Sequence, residues 1–291
     1  MVKLRSLFDE NRNITEFLRN ELNTKTNSEK IIECAYDLQA GSYIDYFISN
    51  SAFCESQYEE YYSIIEPYIN ENDRLLDVGT GELTTLTGLL NLFNFRNIEV
   101  FAFDISLSRV YKGINHYRSN SKKPFKLIPF TAEISNIPLP SNSIDITISN
   151  HALEPNSGNL SNLLREIFRI SKKCIFFEPS YEINSLEGKK RMDSLGYIKD
   201  IDKHIIDAGG KLLDFIPIKK VSNILNPTGC YIVEVCSESE IRTPTFTVPG
   251  SDLELVKENN FFICRKTGLV FPILGDIPIL RNGNAIIATK L

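Results

Sequence analysis

The sequence predicts an α/β protein with a seven-stranded, mostly parallel, doubly wound sheet and an antiparallel last strand. An N-terminal helical cap and a small β-rich C-terminal segment flank this sheet. Three observations predict the fold: residues 1–70 are amphipathic at helical spacing, strands and helices alternate from Arg74, and only a loop joins the last two strands. We therefore expect three regions, at residues 1–70, 71–240 and 241–291.

The composition is that of an ordinary globular protein. Of 291 residues, 42% are hydrophobic and 24% are charged, which excludes disorder and collagen-like repeats. The formal net charge of −5 does not favour binding of nucleic acid. Asp9 and Glu10 interrupt the apolar stretch that a secretory peptide needs, and no apolar run approaches the ~18 residues of a membrane span. We expect a cytoplasmic protein that does not contact membranes.

The six cysteines contain no C-x-x-C pair. A zinc ribbon or a thioredoxin-type site is therefore unsupported. We expect reduced, mostly buried thiols, Cys236 included.

The cap is predicted from apolar spacing and from its capping residues. Apolar residues recur at helical intervals over 14–22, and Ser28 can begin a second helix that Gly41 ends. A tyrosine-rich stretch over 58–68 continues the helical spacing.

Seven apolar segments predict the strands of the sheet. They lie at 75–79, 98–104, 125–130, 144–149, 174–177, 211–218 and 230–235. Helical patterns separate most of the first five, which predicts parallel strands covered on both faces. The last two have no crossover helix between them and should be antiparallel. Pro217 cannot donate to a central ladder, so its strand should lie at an edge.

The C-terminal segment has short apolar runs at 246–248, 261–264 and 269–273, with turn residues between them. Residues 243–291 contain one cysteine and no histidine, so they cannot complete a metal site. So few residues also cannot form a large core. We expect this segment to pack against the main domain.

The strongest functional signal is Leu76-Asp77-Val78-Gly79-Thr80-Gly81, between a strand and a helix. The glycines permit a sharp turn and close approach of a ligand, and the helix N-terminus attracts an anion. No phosphate-binding Gly-Lys-Ser/Thr follows. Asp77 would repel a pyrophosphate but would pair with an ammonium group. A ligand that carries both an amine and a carboxylate fits this motif.

Two further acidic residues follow predicted strands. Asp104 ends the second strand, where a carboxylate can accept both hydroxyls of a ribose. Glu133 could accept from the exocyclic amine of an adenine while Ile134 packs on its ring. Each motif alone also fits a structural role, as a tight turn, a helix cap or a solvated loop residue. Their order along the chain favours one ligand site at the carboxyl edge of the sheet.

Together the motifs resemble class I S-adenosylmethionine-dependent methyltransferases over about residues 70–237. The resemblance rests on the glycine motif, Phe103-Asp104, Ala132-Glu133-Ile134 with Pro138-Leu139-Pro140, and Ser143-Ile144-Asp145 through Asn150. It implies S-adenosylmethionine as the cofactor, held by Asp77, Gly79, Thr80, Gly81, Asp104, Ile105, Glu133, Ile134 and Asn150. Many members have a third glycine where Leu83 stands.

Residues 246–285 resemble a family of small zinc-ribbon-like domains. Members of that family serve as activator subunits of RNA- and protein-modifying methyltransferases. Only Cys264 is present of the usual metal cysteines, so we predict no metal site. A β-rich tail that covers one face of the main domain is the alternative.

Three residues are candidates for the chemical step. His151 follows the fourth strand beside Asn150, and histidine has the ordinary pKa closest to neutrality. Glu154 and Glu178 follow strands that we expect to be neighbours, so they should face one cleft as bases or as ligands of a divalent ion. A loop histidine that is hydrogen-bonded for structure is the alternative for His151.

The acceptor is predicted from the cap. Tyr36, Gln39 and Tyr43 could hydrogen-bond a polar acceptor, although aromatic packing on the core is equally compatible. The acidic chain and its cap favour O- or N-methylation of a small polar acceptor such as a sugar or a nucleotide-sugar. The alternatives are modification of RNA or protein, and a non-catalytic scaffold that acts on a partner through the C-terminal segment. The oligomeric state is left open.

Overall fold

The computed structural model describes residues 2–10, 12–94, 97–123, 125–156, 158–235 and 242–291. Cys236 and the predicted boundary at 240–241 lie outside the described residues. The helices are α1 (Val2–Asp9), α2 (Ile14–Glu21), α3 (Glu29–Leu38), α4 (Ser42–Ser49), α5 (Ser51–Ile65), α6 (Thr84–Leu92), α7 (Leu107–Asn120), α8 (Leu160–Ile170), α9 (Leu186–Leu195) and α10 (Ile201–Asp207). The strands are β1 (Arg74–Val78), β2 (Glu99–Asp104), β3 (Lys126–Thr131), β4 (Ile144–Asn150), β5 (Ser171–Pro179), β6 (Gly210–Pro217), β7 (Thr228–Val235), β8 (Val256–Glu258), β9 (Phe261–Cys264), β10 (Leu269–Leu274), β11 (Ile277–Pro278) and β12 (Ile286–Ile287).

The second predicted helix of the cap begins at Ser28, as the sequence indicates. The Ser28 side chain accepts from the N–H of Ile31 and begins α3, which buries its apolar stripe. Asp37, near the end of α3, accepts from Ser106 Oγ at 2.7 Å and from the N–H of Ser108 at 3.2 Å. The cap is therefore anchored to the first turn of α7, where free N–H groups favour a carboxylate.

The main sheet has the strand order β3-β2-β1-β4-β5-β7-β6. β7 runs antiparallel to both neighbours and the other strand pairs are parallel, which confirms the predicted fold class. Pro217 lies in the edge strand β6, as predicted, and the opposite edge strand β3 contains Pro129. Both prolines stand where an N–H is not needed by a second neighbour.

Hydrophobic residues cover both faces of this sheet. Along β1, Leu76 and Val78 join one buried cluster while Leu75 joins the other, as the period of two in a strand requires. One cluster contains apolar residues of α8 and α10, and the other contains Tyr61 and Ile65 of α5 and the buried leucines of α6. No helix in the described parts of the chain is long and apolar enough to span a membrane.

The C-terminal segment forms a small antiparallel sheet from β8 to β12. The predicted strand at 246–248 is reduced to one β-bridge, between Thr247 and Glu254. The turn at Pro249-Gly250 follows at once and limits the pairing to this bridge. Phe271 and Leu280 are fully buried in the same cluster as α8, and the N–H of Leu280 donates to the carbonyl of Thr131 at 2.9 Å. The segment therefore packs against the main domain, as predicted.

The buried Phe271 predicts that this segment unfolds with the main domain. Phe271→Ala should lower the free energy of unfolding by about 3–5 kcal/mol, since it removes a buried aromatic ring and leaves a cavity. Leu274→Ala, in the same strand but 51% exposed, is the matched control and should change it by about 0.5 kcal/mol or less. Urea unfolding followed by circular dichroism measures both. Equal effects of the two substitutions would contradict the docking.

Candidate functional site

A cavity of about 500 Å³ lies at the carboxyl ends of β1, β2 and β4, under the cap helices α3, α4 and α5. β1 lies between β2 and β4, so the chain continues to opposite sides of the sheet from this point. Open α/β sheets bind ligands in the crevice at such a switch in strand order. The size is that of an ordinary small-molecule site.

The glycine motif forms the floor of the cavity. Gly79 and Gly81 have φ values of 65° and 55°, in the left-handed region that favours glycine. A Cβ on Gly79 would clash with the Cβ of Ala152, so glycine also allows the loops after β1 and β4 to meet. Thr80 lines the cavity beside both glycines.

Leu83 adopts the conformation that the missing third glycine would favour, with a φ of 53°. Its side chain is fully buried and fills the space beside Gly113 of α7, where any Cβ would clash with it. Gly113 thus accommodates the larger residue at position 83.

Two buried carboxylates, Asp77 and Asp104, face the cavity. Asp77 accepts from Thr80 Oγ1 at 2.6 Å, and burial raises its pKa to about 7. Asp104 accepts from the N–H of Gly81 at 3.0 Å and from the N–H of Ser106 at 2.8 Å. Burial also raises the pKa of Asp104, against the lowering effect of Arg109. Both side chains are therefore held rigidly at the predicted positions, with Ile105 beside them on the wall.

Arg109 is a site residue that the sequence analysis missed. Its guanidinium lies between the rings of Tyr36 and Tyr43, 4.5 and 4.7 Å from their centroids. It is the only arginine or lysine among the described residues that line the cavity. A positive charge in the first turn of a helix is unfavourable next to the helix dipole. Arg109 has that position in α7, five residues after Asp104, and this feature of the sequence points to a role at the site.

The predicted cap residues separate into two groups. Tyr36 and Tyr43 line the cavity. Gln39 does not, since its Oε1 accepts from Arg109 Nη2 at 3.3 Å and its side chain faces a second groove beside α1. The prediction that Gln39 contacts an acceptor is therefore corrected: it orients Arg109 from outside the cavity.

Asn150 lies on the cavity wall at the end of β4. Its Nδ2 donates to Thr85 Oγ1 at 3.2 Å, and its Oδ1 accepts from the hydroxyl of Tyr61 at 3.4 Å. The Tyr61 ring stacks on Phe177, with 4.0 Å between centroids. These contacts fix the amide between the cap and the sheet.

His151 and Glu154 meet on the rim of the cavity. His151 Nδ1 lies 3.2 Å from Glu154 Oε2, and its Nε2 lies 2.8 Å from Thr228 Oγ1. Burial lowers the pKa of His151, but the hydrogen bond and the charge of Glu154 raise it, and the raising effect prevails. The arrangement orients an imidazole between a carboxylate and a hydroxyl, as a general base requires. Thr228 was not identified from the sequence, because it follows a loop and carries no motif.

The prediction that Glu178 faces the same cleft is wrong. Glu178 is fully buried behind the loop and does not line the cavity. Its carboxylate accepts from Ser149 Oγ at 2.7 Å and from the N–H groups of Ala152 and Leu153 at 3.0 and 3.2 Å. These bonds hold the turn in which His151 has a φ of 56°, a strained value for a non-glycine residue. Glu178 therefore supports the turn that holds His151 and lies outside the cavity lining.

Glu133 also differs from its prediction. Ile134 lines the cavity together with Ala132 and Ser135, but Glu133 points away from it. Glu133 Oε1 accepts from Nε and Nη2 of Arg281 at 3.0 and 2.9 Å. Glu133 therefore faces Arg281 and lies outside the cavity lining, so the predicted contact with an adenine is corrected to Ile134.

No three Cys, His, Asp or Glu side chains in the described ranges lie close enough together to hold a metal ion. Cys264 is buried and is hydrogen-bonded to Thr267.

The central part of the chain is similar to known methyltransferase domains. Residues 76–174 match the model of a family described as a methyltransferase domain. No curated protein matches the chain. Residues 76–174 contain the glycine motif, Asp104 and the whole of β4.

Three solved structures illustrate the structural likeness. An S-adenosylmethionine-dependent methyltransferase from Methanosarcina mazei is 17% identical, with a TM-score of 0.51 over 60% of this chain and 98% of that one. Magnesium protoporphyrin IX methyltransferase from Synechocystis PCC 6803, with bound S-adenosylhomocysteine, is 12% identical, with a TM-score of 0.53 over 72% and 100%. A complex of the Haloferax volcanii Trm112 methyltransferase activator and a putative methyltransferase is 15% identical, with a TM-score of 0.49 over 66% and 97%.

The match over residues 76–174 and the fold confirm the predicted enzyme class, a methyltransferase with the fold of the S-adenosylmethionine-dependent enzymes. The match ends at residue 174. The likeness of residues 246–285 to an activator domain stays a prediction.

The buried carboxyl of Glu178 predicts a pH-dependent stability. Burial raises its pKa to about 7, against the lowering effects of His151 and of its hydrogen-bond donors. The folded protein then keeps a proton that the unfolded chain loses near pH 4.3, so this stabilisation is present at low pH and is lost as the pH rises to about 7. Glu178→Gln retains an acceptor oxygen but cannot ionise.

Urea unfolding at pH 5 and pH 7.5 measures the effect. The glutamine variant should gain about 2–3 kcal/mol relative to the unsubstituted protein between these two values. A constant difference between the two proteins would contradict a raised pKa.

Proposed function

We propose that this methyltransferase binds S-adenosylmethionine at the carboxyl ends of β1, β2 and β4 and methylates a small polar acceptor enclosed by the cap. The observation that carries the proposal is the single cavity region in which the glycine motif, Asp104, the cap tyrosines and His151 all meet. The cofactor has an amine, a ribose and an adenine, and each of these groups has a chemically matched residue around this cavity.

The residues around the cavity match the chemical groups of the cofactor. Asp77 is buried, and within the described residues its carboxylate has no cationic partner, which suits the ammonium of the methionine portion. The left-handed glycines leave room for that portion, and Asp104 suits the ribose hydroxyls. Ile134 and Ala132 offer an apolar surface to the adenine. Asn150 is expected near the sulfonium.

The cap supports a sugar or a nucleotide-sugar as the acceptor. Tyr36, Tyr43 and Tyr58 line the cavity, and their rings offer flat apolar faces with polar hydroxyls at the end. A cavity covered by helices suits a small molecule and excludes water from the reaction. RNA or protein modification, and a scaffold without catalysis, are the alternatives that an acceptor screen distinguishes.

The chemical step then depends on a positioned base. The bound cofactor supplies an electrophilic methyl group on a positively charged sulfur. His151 Nε2 accepts the proton of the acceptor hydroxyl as the oxygen forms its bond to the methyl carbon, and the C–S electron pair stays on the departing sulfur. The carboxylate of Glu154 keeps the proton on Nδ1 and stabilises the imidazolium. Thr228 holds the ring through Nε2 until the acceptor displaces it.

Replacement of His151 tests the base. His151→Ala should lower kcat by about 10²–10⁴-fold, because general-base assistance is lost. The Kd for S-adenosylmethionine should change by less than about threefold, since the imidazole faces the acceptor. The pH–rate profile should lose its limb near neutrality. Normal turnover with an unaltered profile would return His151 to a structural role.

Binding of the cofactor should become tighter as the pH rises. Burial raises the pKa of Asp77 to about 7, whereas an ammonium partner favours the ionised carboxylate. Binding near pH 6 therefore requires loss of a proton, and affinity should rise roughly five- to tenfold between pH 6 and pH 7.5. Asp77→Asn should abolish this rise.

Calorimetry in buffers of different ionisation enthalpy measures both the affinity and the released proton. If S-adenosylmethionine binds neither at pH 6 nor at pH 7.5, the proposed function is overturned. Release of S-adenosylhomocysteine with RNA or protein, but not with sugars or nucleotide-sugars, would overturn the proposed acceptor class.

A further inference from the structure

Arg281 joins three parts of the chain that are distant in sequence. It follows β11 in the C-terminal segment and is buried. Its Nη1 lies 2.7 Å from Glu33 Oε1 on the cap helix α3. Its Nε and Nη2 donate to Glu133 Oε1, in the loop after β3, at 3.0 and 2.9 Å. One forked guanidinium therefore bonds a cap carboxylate and a sheet-edge carboxylate at once.

Glu33 and Glu133, the two partners of Arg281, each have sequence neighbours that line the cavity. In the loop after β3, Glu133 faces Arg281, whereas its neighbours Ala132 and Ile134 line the cavity. On α3, Glu33 faces Arg281, whereas Ile32 and Tyr36 line the cavity. Arg281 itself does not line the cavity.

Without Arg281, the two carboxylates would oppose each other. Glu29 adds a third carboxylate, bonded to Ser135 on the same wall, and its charge raises the pKa of Glu133 further. Burial raises the pKa of Glu133 and the hydrogen bond from Arg281 lowers it. Lys30 pairs with Glu33 at 2.9 Å but is largely exposed, so it compensates little. Removing the guanidinium of Arg281 would therefore leave Glu33 and Glu133 without their shared buried cation and would push α3 away from the loop after β3.

We propose that Arg281 is a positioning residue that holds the cap helix α3 and the loop 132–135 together as one wall of the cavity. The affinity for the cofactor then depends on a side chain of the C-terminal segment that never contacts it. This inference rests on the proposed binding of S-adenosylmethionine in the cavity.

The test compares Arg281→Met, which keeps the aliphatic length, with Arg281→Lys and with Arg265→Met as a control. Arg265 belongs to the same segment, is exposed and pairs with Glu258. Arg281→Met should weaken S-adenosylmethionine binding at least about tenfold by calorimetry. The affinity of Arg281→Lys should lie between those of Arg281→Met and the unsubstituted protein, because an ammonium keeps the charge but cannot form the forked pair of hydrogen bonds. Arg265→Met should bind normally.

Hydrogen exchange of the ligand-free proteins supplies a second measurement. Amides of residues 29–38 and 132–138 should exchange faster in Arg281→Met, with those of β4 and β5 unchanged. If Arg281→Met does not fold, Glu33→Gln removes only the link to the cap and should show the same changes to a smaller extent. A double substitution, Glu33→Gln with Arg281→Met, should be less than additive.

The outcomes separate this inference from the proposed function. Unchanged affinity in Arg281→Met, or faster exchange with unchanged affinity, would overturn the positioning role while leaving the proposed function intact. No binding by the unsubstituted protein would overturn the proposed function itself.

Discussion

Buried carboxylates that accept from backbone N–H groups hold the carboxyl edge of this sheet in shape. Asp104 joins the loop after β1 to the start of α7, and Glu178 joins β5 to the loop after β4. Glu82 accepts from the N–H groups of Gly41 and Ile44 at 2.8 and 3.0 Å and so fastens the start of α4 to the sheet. Each buried acceptor is costly to leave unpaired, so the donor loops are fixed where the acceptors lie. These bonded loops form the wall and floor of the cavity.

The fold could be predicted because its determinants are local in sequence. Strand periodicity, the Ser28 cap and Pro217 each act within a few residues, and the structure places them as expected. Residue type and position along the chain assign Gln39, Glu133 and Glu178 to the site, and for Glu133 the family resemblance agrees. Their side-chain directions depend on partners far along the chain, namely Arg109, Arg281 and the turn at 151–153. A local pattern contains no information about such partners.

The cap and the C-terminal segment meet the sheet at the same cavity from different sides. The cap supplies tyrosines and is anchored through Asp37, while the C-terminal segment supports the loop after β3 through Arg281. The N–H of Thr247 also donates to the carbonyl of Pro138 at 3.0 Å. Both additions to the central domain therefore have a structural connection to the cavity, although among the described residues the cap lines it and the C-terminal segment does not.

The two prolines at the outer strands have a consequence for self-association. A sheet edge with free N–H and C=O groups can recruit a strand from another molecule and so begin aggregation. At one edge, Pro129 removes a donor from β3, and Ile279 covers Thr131 at its end. At the other, Pro217 and the irregular register at Leu212–Asp214 interrupt β6. A crowded solution of this protein should therefore resist strand-mediated polymerisation at both ends of the sheet.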